Sequence, residues 1–395
     1  MTMNSRRLLA LGAATALTVT LTPAALAQNG SDEGSVREAV VSSFADPASS
    51  GSSLDAALSS LSLVGSSEWP LPDQWREFDD AYPLPTDDSI TDVELVEIQD
   101  EGQRLERWVV SSPSMKRDVE VQIWHAADSS VESPMLYMLD GVDAPRGNGW
   151  LSVGAAREVF ADENVTLVLP TQARASNYSD WVNEDPTLGL HMWETFLTEE
   201  LPQVLEGPDS SIKFNGQRGI GGLSMGANGA VHIANTNPDM FDGVFGISGC
   251  YSPMSPVGRQ MASFVVTSRG GVLENMWGPY GSDEWIRHDA ALDPSGLADQ
   301  AVYLSAADGT FTEEEQAFYD NYEITSLAVG GLLERGVLTC TRELDDAMQA
   351  AGMDHHKVHY KEGGAHNWIQ FNQELQPAWD HIKPALTDAA EPVLE

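Results

Sequence analysis

Five residues, Gly222-Leu223-Ser224-Met225-Gly226, place a hydroxyl between glycines two positions before and two positions after it. Gln217 to Gly221 lead in through apolar Ile220, and Ala227 to Ala234 follow with helix-forming composition. Strand, very tight turn and helix is the setting in which G-x-S-x-G marks a nucleophile elbow. Strand and helix crowd together at such a turn, so the flanking positions must be small and the serine backbone is strained. The hydroxyl then stands clear of the sheet, facing the positive end of the helix. The chemistry is nucleophilic attack by Ser224 and a covalent acyl-enzyme. A plain Ser/Gly loop would carry the same letters, so the partners this serine needs decide between the two.

A serine at neutral pH needs a base, and in this arrangement a histidine follows the last strand. His366 fits, in Glu362-Gly363-Gly364-Ala365-His366-Asn367-Trp368 behind the strand-like Val358 to Tyr360. His232 falls inside the helix after the serine, and His125, His288 and His381 read as surface or packing residues. Two carboxylates could orient the imidazole. Asp308 ends a strand before Gly309, where aspartate also serves as an ordinary turn residue, and Glu334 lies between two helical stretches. Oxyanion donors are expected from the backbone N–H of Met225 and, after the apolar strand Met135 to Leu139, of Val142.

The elements that must position these groups follow from periodicity. Val119 to Trp124 alternates as a half-solvated antiparallel strand should, with Val93 to Ile98 and Arg107 to Val110 before it. Met135 to Leu139 and Val165 to Leu169 are continuously apolar, as interior strands covered on both faces are. Helices are expected over Trp150 to Phe160, His191 to Leu205, Met225 to Thr236, Pro256 to Val266, Thr312 to Leu333 and Leu338 to Ala351, and from Trp368 to about Leu386. Later strands are Val244 to Ile247, Ala301 to Ser305 and Val358 to Tyr360. The class is α/β, with a mixed, mostly parallel sheet flanked by helices on both faces.

Residues 1–27 carry an export signal: Arg6-Arg7, an apolar run from Leu8 to Leu21, and Ala25-Leu26-Ala27 as an A-x-A cleavage site. The apolar run is too short for a retained membrane span. Residues 28–70 form a Ser/Ala-rich extension, 71–388 the folded domain and 389–395 a tail. The formal charge of −39 repels nucleic acid and anionic headgroups, which excludes those partners. Two cysteines, Cys250 and Cys340, in an exported chain favour one disulfide over two buried thiols. Two cysteines alone cannot bind zinc, and adjacent His355 and His356 on a strand point to opposite faces, so no metal site is expected.

With these residues in view, the chain resembles the secreted mycolyltransferases of the antigen 85 type, within the esterases of the α/β-hydrolase fold. The similarity runs over residues 105–385, in family order: Leu139-Asp140-Gly141 with Asn148-Gly149-Trp150, Tyr178-Ser179-Asp180-Trp181, and Trp193-Glu194-Thr195-Phe196-Leu197-Thr198. The elbow, Met276-Trp277-Gly278-Pro279 and Gly364-Ala365-His366-Asn367-Trp368 complete it. W-E-T-F-L and M-W-G-P are far more specific than the pentapeptide. The resemblance implies Ser224 as nucleophile, His366 as base and Glu334, in preference to Asp308, as the acid. It implies transfer of a mycoloyl chain from trehalose monomycolate to a second trehalose monomycolate or to cell-wall arabinogalactan. No cofactor and no stable protein partner are implied. Asp140, Trp150 and Trp368 match its sugar-pocket positions. Where the family has arginine, this chain has Asp143, with Arg146 as a possible stand-in. Asn228 and Asn367 are further departures, and a Cys250–Cys340 disulfide is expected to brace the acid-bearing segment. The alternatives are a secreted carboxylesterase that lets water finish the reaction, and a non-catalytic wall- or matrix-binding protein.

Overall fold

The computed structural model describes residues 81–319 and 324–387. The expected signal sequence, the 28–70 extension, the first ten residues of the expected domain and the tail lie outside the described residues.

Among the described residues nine strands form one sheet in the order β1-β2-β3-β5-β4-β6-β7-β8-β9. β1 (Leu95–Gly102), β2 (Leu105–Ser112) and β3 (Arg117–Trp124) pair antiparallel, and β3 also runs antiparallel to β5 (Thr166–Pro170). From β5 onward, β4 (Ser133–Leu139), β6 (Phe214–Leu223), β7 (Gly243–Ile247), β8 (Ala301–Ala307) and β9 (Lys357–Lys361) are all parallel. The mixed, mostly parallel α/β sheet expected from periodicity is therefore the one found. β4, β5 and β7 are buried along their whole length, which is why their sequences are apolar without alternation.

Alternation survives inside those apolar runs as a choice of face. Leu136 and Met138 of β4 enter one core with Phe245, Tyr303 and the final helix, while Met135, Tyr137 and Leu139 enter the other. The second face is covered by α3, which runs through Trp193–Thr195, a π-helical turn Phe196–Glu200 and Leu201–Leu205, and by α4 (Met225–Thr236). The first face is covered by α10 (Trp368–Thr387), whose Leu375, Ile382 and Leu386 are fully buried. Each such side chain stabilises the fold by roughly 1.5–3 kcal/mol. No helix among the described residues is long and apolar enough to cross a membrane.

Helix boundaries depart from expectation in two places. Trp150 to Phe160 is two single turns, α1 (Gly149–Ser152) and α2 (Ala156–Val159). Gly154 separates them, pressed against the Trp150 backbone and the Trp368 ring, with no room for a longer side chain. Glu334 does not lie between two helices. It sits inside one helix, α9 (Ile324–Ala350), preceded by the short α8 (Glu313–Tyr319). Gly336 weakens local helix propensity there, but packing of α9 on β8 and on α5 (Pro256–Thr267) overrides it.

Candidate active site

The strand order reverses at β4: the chain goes from β4 to β5 on one side, then returns to β6 on the other. A crevice outside the carboxyl ends of strands at such a reversal is the usual place for a ligand. The loop after β4 and the turn after β6 flank this one. Ser224 occupies that turn with φ 53° and ψ −121°, and its N–H donates to the Ile247 carbonyl at 2.9 Å. The two glycines of the pentapeptide are steric requirements. A Cβ on Gly222 would lie 2.4 Å from the Gly226 backbone, and one on Gly226 2.4 Å from the Leu139 carbonyl.

Ser224, His366 and Glu334 come together as a hydrogen-bonded line. The Ser224 Oγ to His366 Nε2 distance is 2.8 Å, and His366 Nδ1 to Glu334 Oε2 is 2.9 Å. Glu334 is fully buried, and its second oxygen accepts hydrogen bonds from Ser248 Oγ and the Ala307 amide, both at 2.8 Å. A buried carboxylate satisfied in this way has a fixed direction. Ser248 was not singled out from the sequence. Its signal is faint: a serine directly after the apolar strand β7, itself held at φ 53°.

Asp308 does not reach the imidazole in the observed hydrogen bonding. Its Oδ1 accepts from Thr310 N, Thr310 Oγ1 and Gly363 N, so it shapes the turn after β8 and pins the start of the histidine loop. Gly141 lies close beside the elbow, since a Cβ built on it would sit 3.8 Å from Ser224 Cβ. The loop after β4 therefore passes beside the elbow, where Met225 begins α4. The Val142 carbonyl is held by the Ala175 amide at 2.9 Å.

Asp140 is almost completely buried, and its carboxylate accepts from the amides of Gly141 at 2.7 Å and Gly149 at 2.6 Å. Burial pushes its pKa up to about 6, against the pull of those two amides. Trp368 is half-buried beside it, edge-to-face with Trp150 at 5.7 Å. Trp150 itself has no exposed surface and gives its indole N–H to the Leu139 carbonyl. It supports Trp368 from behind and has no face to offer a ligand, which corrects its expected place in a sugar pocket. Arg146, the expected stand-in, is engaged with Glu120 on β3 through Nε at 2.6 Å and one Nη at 3.0 Å. Asp143 pairs instead with Arg269, just past α5, at 2.6 and 2.9 Å. The other departures have local uses: Asn228 donates to Asn177 at 3.0 Å, and Asn367 caps α10 through the Ile369 amide.

The disulfide forms between Cys250 and Cys340, joining the segment after β7 to α9 less than two turns past Glu334. The W-E-T-F-L and M-W-G-P segments meet away from the serine. Glu194 is buried, and its carboxylate binds Arg287 of α7 (Asp283–Arg287) through both oxygens. His232 of α4 reaches the same carboxylate at 3.3 Å, His288 stacks on His232 at 3.9 Å, and Trp277 stacks on His288. Glu194, His232 and His288 lie close enough to hold a metal ion. The two imidazoles are nearly parallel, however, so their in-plane lone pairs cannot converge on one ion. The arrangement is an ion pair under an aromatic stack. His356 and His359 bind different carboxylates, Asp345 and Glu374.

Residues 112–382 match the Esterase family. The chain belongs to that family. It is 30% identical over 300 residues to diacylglycerol acyltransferase/mycolyltransferase Ag85A of Mycobacterium leprae, covering 72% of this chain and 83% of the relative. Ag85B of Mycobacterium intracellulare is 28% identical, with 72% and 84% covered. The crystal structure of Mycobacterium tuberculosis MPT51 (FbpC1) superposes with a TM-score of 0.60 at 22% identity, covering 72% of this chain and all of that one, which shows a common fold. This Esterase-family chain is thus an α/β-hydrolase-fold enzyme of serine-type acyl transfer or ester cleavage, related to the antigen 85 mycolyltransferases.

Proposed function

We propose that the protein is a secreted mycolyltransferase that works through an acyl-enzyme on Ser224. The single observation that carries the acyl-enzyme is the unbroken line from Ser224 through His366 to Glu334. His366 Nε2 accepts the proton of Ser224 as Oγ attacks the ester carbonyl, and Glu334 stabilises the imidazolium through Nδ1–H. The N–H groups of Met225 and Val142 receive the oxyanion. The departing sugar hydroxyl takes the proton back from Nε2. A second alcohol then gives its proton to His366 and attacks the acyl carbonyl; the bond to Ser224 Oγ breaks, Oγ takes that proton from Nε2, and the new ester leaves.

Relatives named as mycolyltransferases support a mycoloyl chain as the group transferred. The donor in this proposal is trehalose monomycolate, and the acceptor is a trehalose mycolate or arabinogalactan. Half-buried Trp368 supports a sugar beside the serine. The disulfide, the sequence of residues 1–27 and the acidic surface support an exported protein. Hydrolysis is the competing reaction, favoured by Asp143 at the family's arginine position and by the engagement of Arg146, its expected stand-in, with Glu120. Purified protein incubated with trehalose monomycolate separates them. Dimycolate supports transfer, whereas trehalose and free acid alone would leave an esterase. A fluorophosphonate should label the protein at Ser224 and not label Ser224→Ala; an unlabelled folded protein would favour a binding function.

A further inference from the structure

We propose that Glu315 is a positioning residue for His366, holding the chain on both sides of the imidazole from one buried carboxylate; the role rests on the acyl-enzyme function proposed above. Thr312-Glu313-Glu314-Glu315 has the form of a capping box at the start of α8. The Glu315 amide donates to Thr312 Oγ1 at 3.2 Å, and Glu315 Oε2 accepts from the Thr312 amide at 3.1 Å. A capping glutamate needs only that, and can remain in water. Glu315 is instead 1% exposed, and its other oxygen faces the histidine loop. Oε1 accepts from the Ala365 amide and from Asn367 Nδ2, the residues immediately before and after His366.

The loop needs such a clamp. Gly363 and Gly364 both have positive φ, at 74° and 153°, so the approach to His366 has little stiffness of its own. Its remaining ties are the Gly363 amide to Asp308, the Gly364 amide to the Thr310 carbonyl at 2.9 Å, the Gly309 amide to the Gly364 carbonyl at 3.0 Å, and the His366 amide to the Gly330 carbonyl of α9 at 3.0 Å. The first three hold the glycine pair itself, and the last fixes the His366 backbone at one point only. Glu315 adds a tie on each flank, which sets the rotation of the loop and hence the aim of Nε2 at Ser224. Without the carboxylate the buried Ala365 N–H loses its acceptor, and the loop must move to find another. Displacement of a reacting group by about 1 Å can lower a rate ~100-fold.

The test compares Glu315→Ala with Thr312→Ala. Both remove the capping box, but only the first removes the clamp. We expect Glu315→Ala to lower kcat for an ester substrate roughly 10- to 100-fold with KM within about twofold. The rate of Ser224 labelling by a fluorophosphonate should fall in the same proportion. Thr312→Ala should lose only the helix cap's share of thermal stability and keep kcat within about twofold. Equal kcat losses in the two variants would reduce Glu315 to a helix cap and overturn the proposal, as would a wild-type labelling rate in Glu315→Ala. In that last case the Ser224 acyl-enzyme stands and only the clamp falls. A wild-type protein that is not labelled at all removes both.

Discussion

Arg269 grips Asp143 with two hydrogen bonds of 2.6 and 2.9 Å, from beyond the end of α5 to the loop after β4. The pair is mostly shielded, with side-chain exposures of 15% and 21%. The loop thus keeps a guanidinium beside it although its own residue is acidic, and the charge comes from another element. The pair also ties down the loop that contains Val142. A double-mutant cycle over Asp143→Ala, Arg269→Ala and the double variant should give a coupling of about 1 kcal/mol in unfolding free energy. Reversing the charges, Asp143→Arg with Arg269→Asp, should recover most of it. Additive single losses would mean that the pair does not act as a unit.

Glu334 and Asp308 both lie within the histidine's neighbourhood, and they should separate cleanly by kinetics. Glu334→Ala leaves Nδ1 without a partner and should reduce kcat roughly 10³- to 10⁴-fold. Asp308→Ala removes a tie to Gly363 and should cost about tenfold or less. Steady-state turnover of a soluble ester is sufficient to decide. A larger loss in Asp308→Ala would assign the acid wrongly.

The serine, the histidine and the sheet were legible in the sequence because each rests on a local pattern. Glycines flank Ser224 where backbones nearly touch, His366 follows the last strand, and interior strands are uniformly apolar. Contacts between distant segments were not legible. Ser248 and Ala307 fix Glu334 from two other strands' ends, and Glu315 reaches across 50 residues to Ala365. Nothing local marks those meetings, although the T-x-x-E pattern at Thr312 to Glu315 could have drawn attention. Trp150 and Arg146 were misplaced for the same reason: motif position carries no information about which way a side chain turns once Leu139 or Glu120 competes for it. The continuity of α9 through Gly336 likewise came from packing, which local propensity does not contain.

The disulfide closes a loop of 90 residues that contains β8 and α8, with Glu334 just inside one end of it. Cys250→Ser with Cys340→Ser should destabilise the fold by about 4 kcal/mol through the entropy of the unfolded chain. Denaturant unfolding of oxidised, reduced and double-serine protein measures this, and thiol titration of the denatured, unreduced protein should find no free thiol. Because Glu334 is also held by Ser248 and Ala307, kcat at a temperature where the variant is folded should fall less than tenfold. A loss as large as that of Glu334→Ala would make the disulfide indispensable to the acid's position.

Asp140 links pH to the loop that carries Val142. Burial raises its pKa from the usual 3.8 to about 6 in the folded protein, while the unfolded chain keeps the ordinary value. Between those two values the folded state holds a proton that the unfolded state has released. Asp140 therefore stabilises the fold fully below about pH 4, and that contribution is lost as pH rises through 6, an effect of roughly 3 kcal/mol. The ionised carboxylate is the stronger acceptor for the Gly141 and Gly149 amides, so ionisation is expected to fix the loop more firmly. Activity and stability should thus move in opposite directions across this range as far as Asp140 is concerned. Asp140→Asn presents a donor where one of those amides also donates, and should lower kcat roughly 10- to 100-fold at pH 7. Its unfolding free energy, measured from pH 4 to pH 7 beside the wild type, should lack the Asp140 contribution. The difference between the two curves should therefore fall by about 2 kcal/mol over that range. Parallel curves would show that the carboxyl titrates normally and that its burial does not govern the loop.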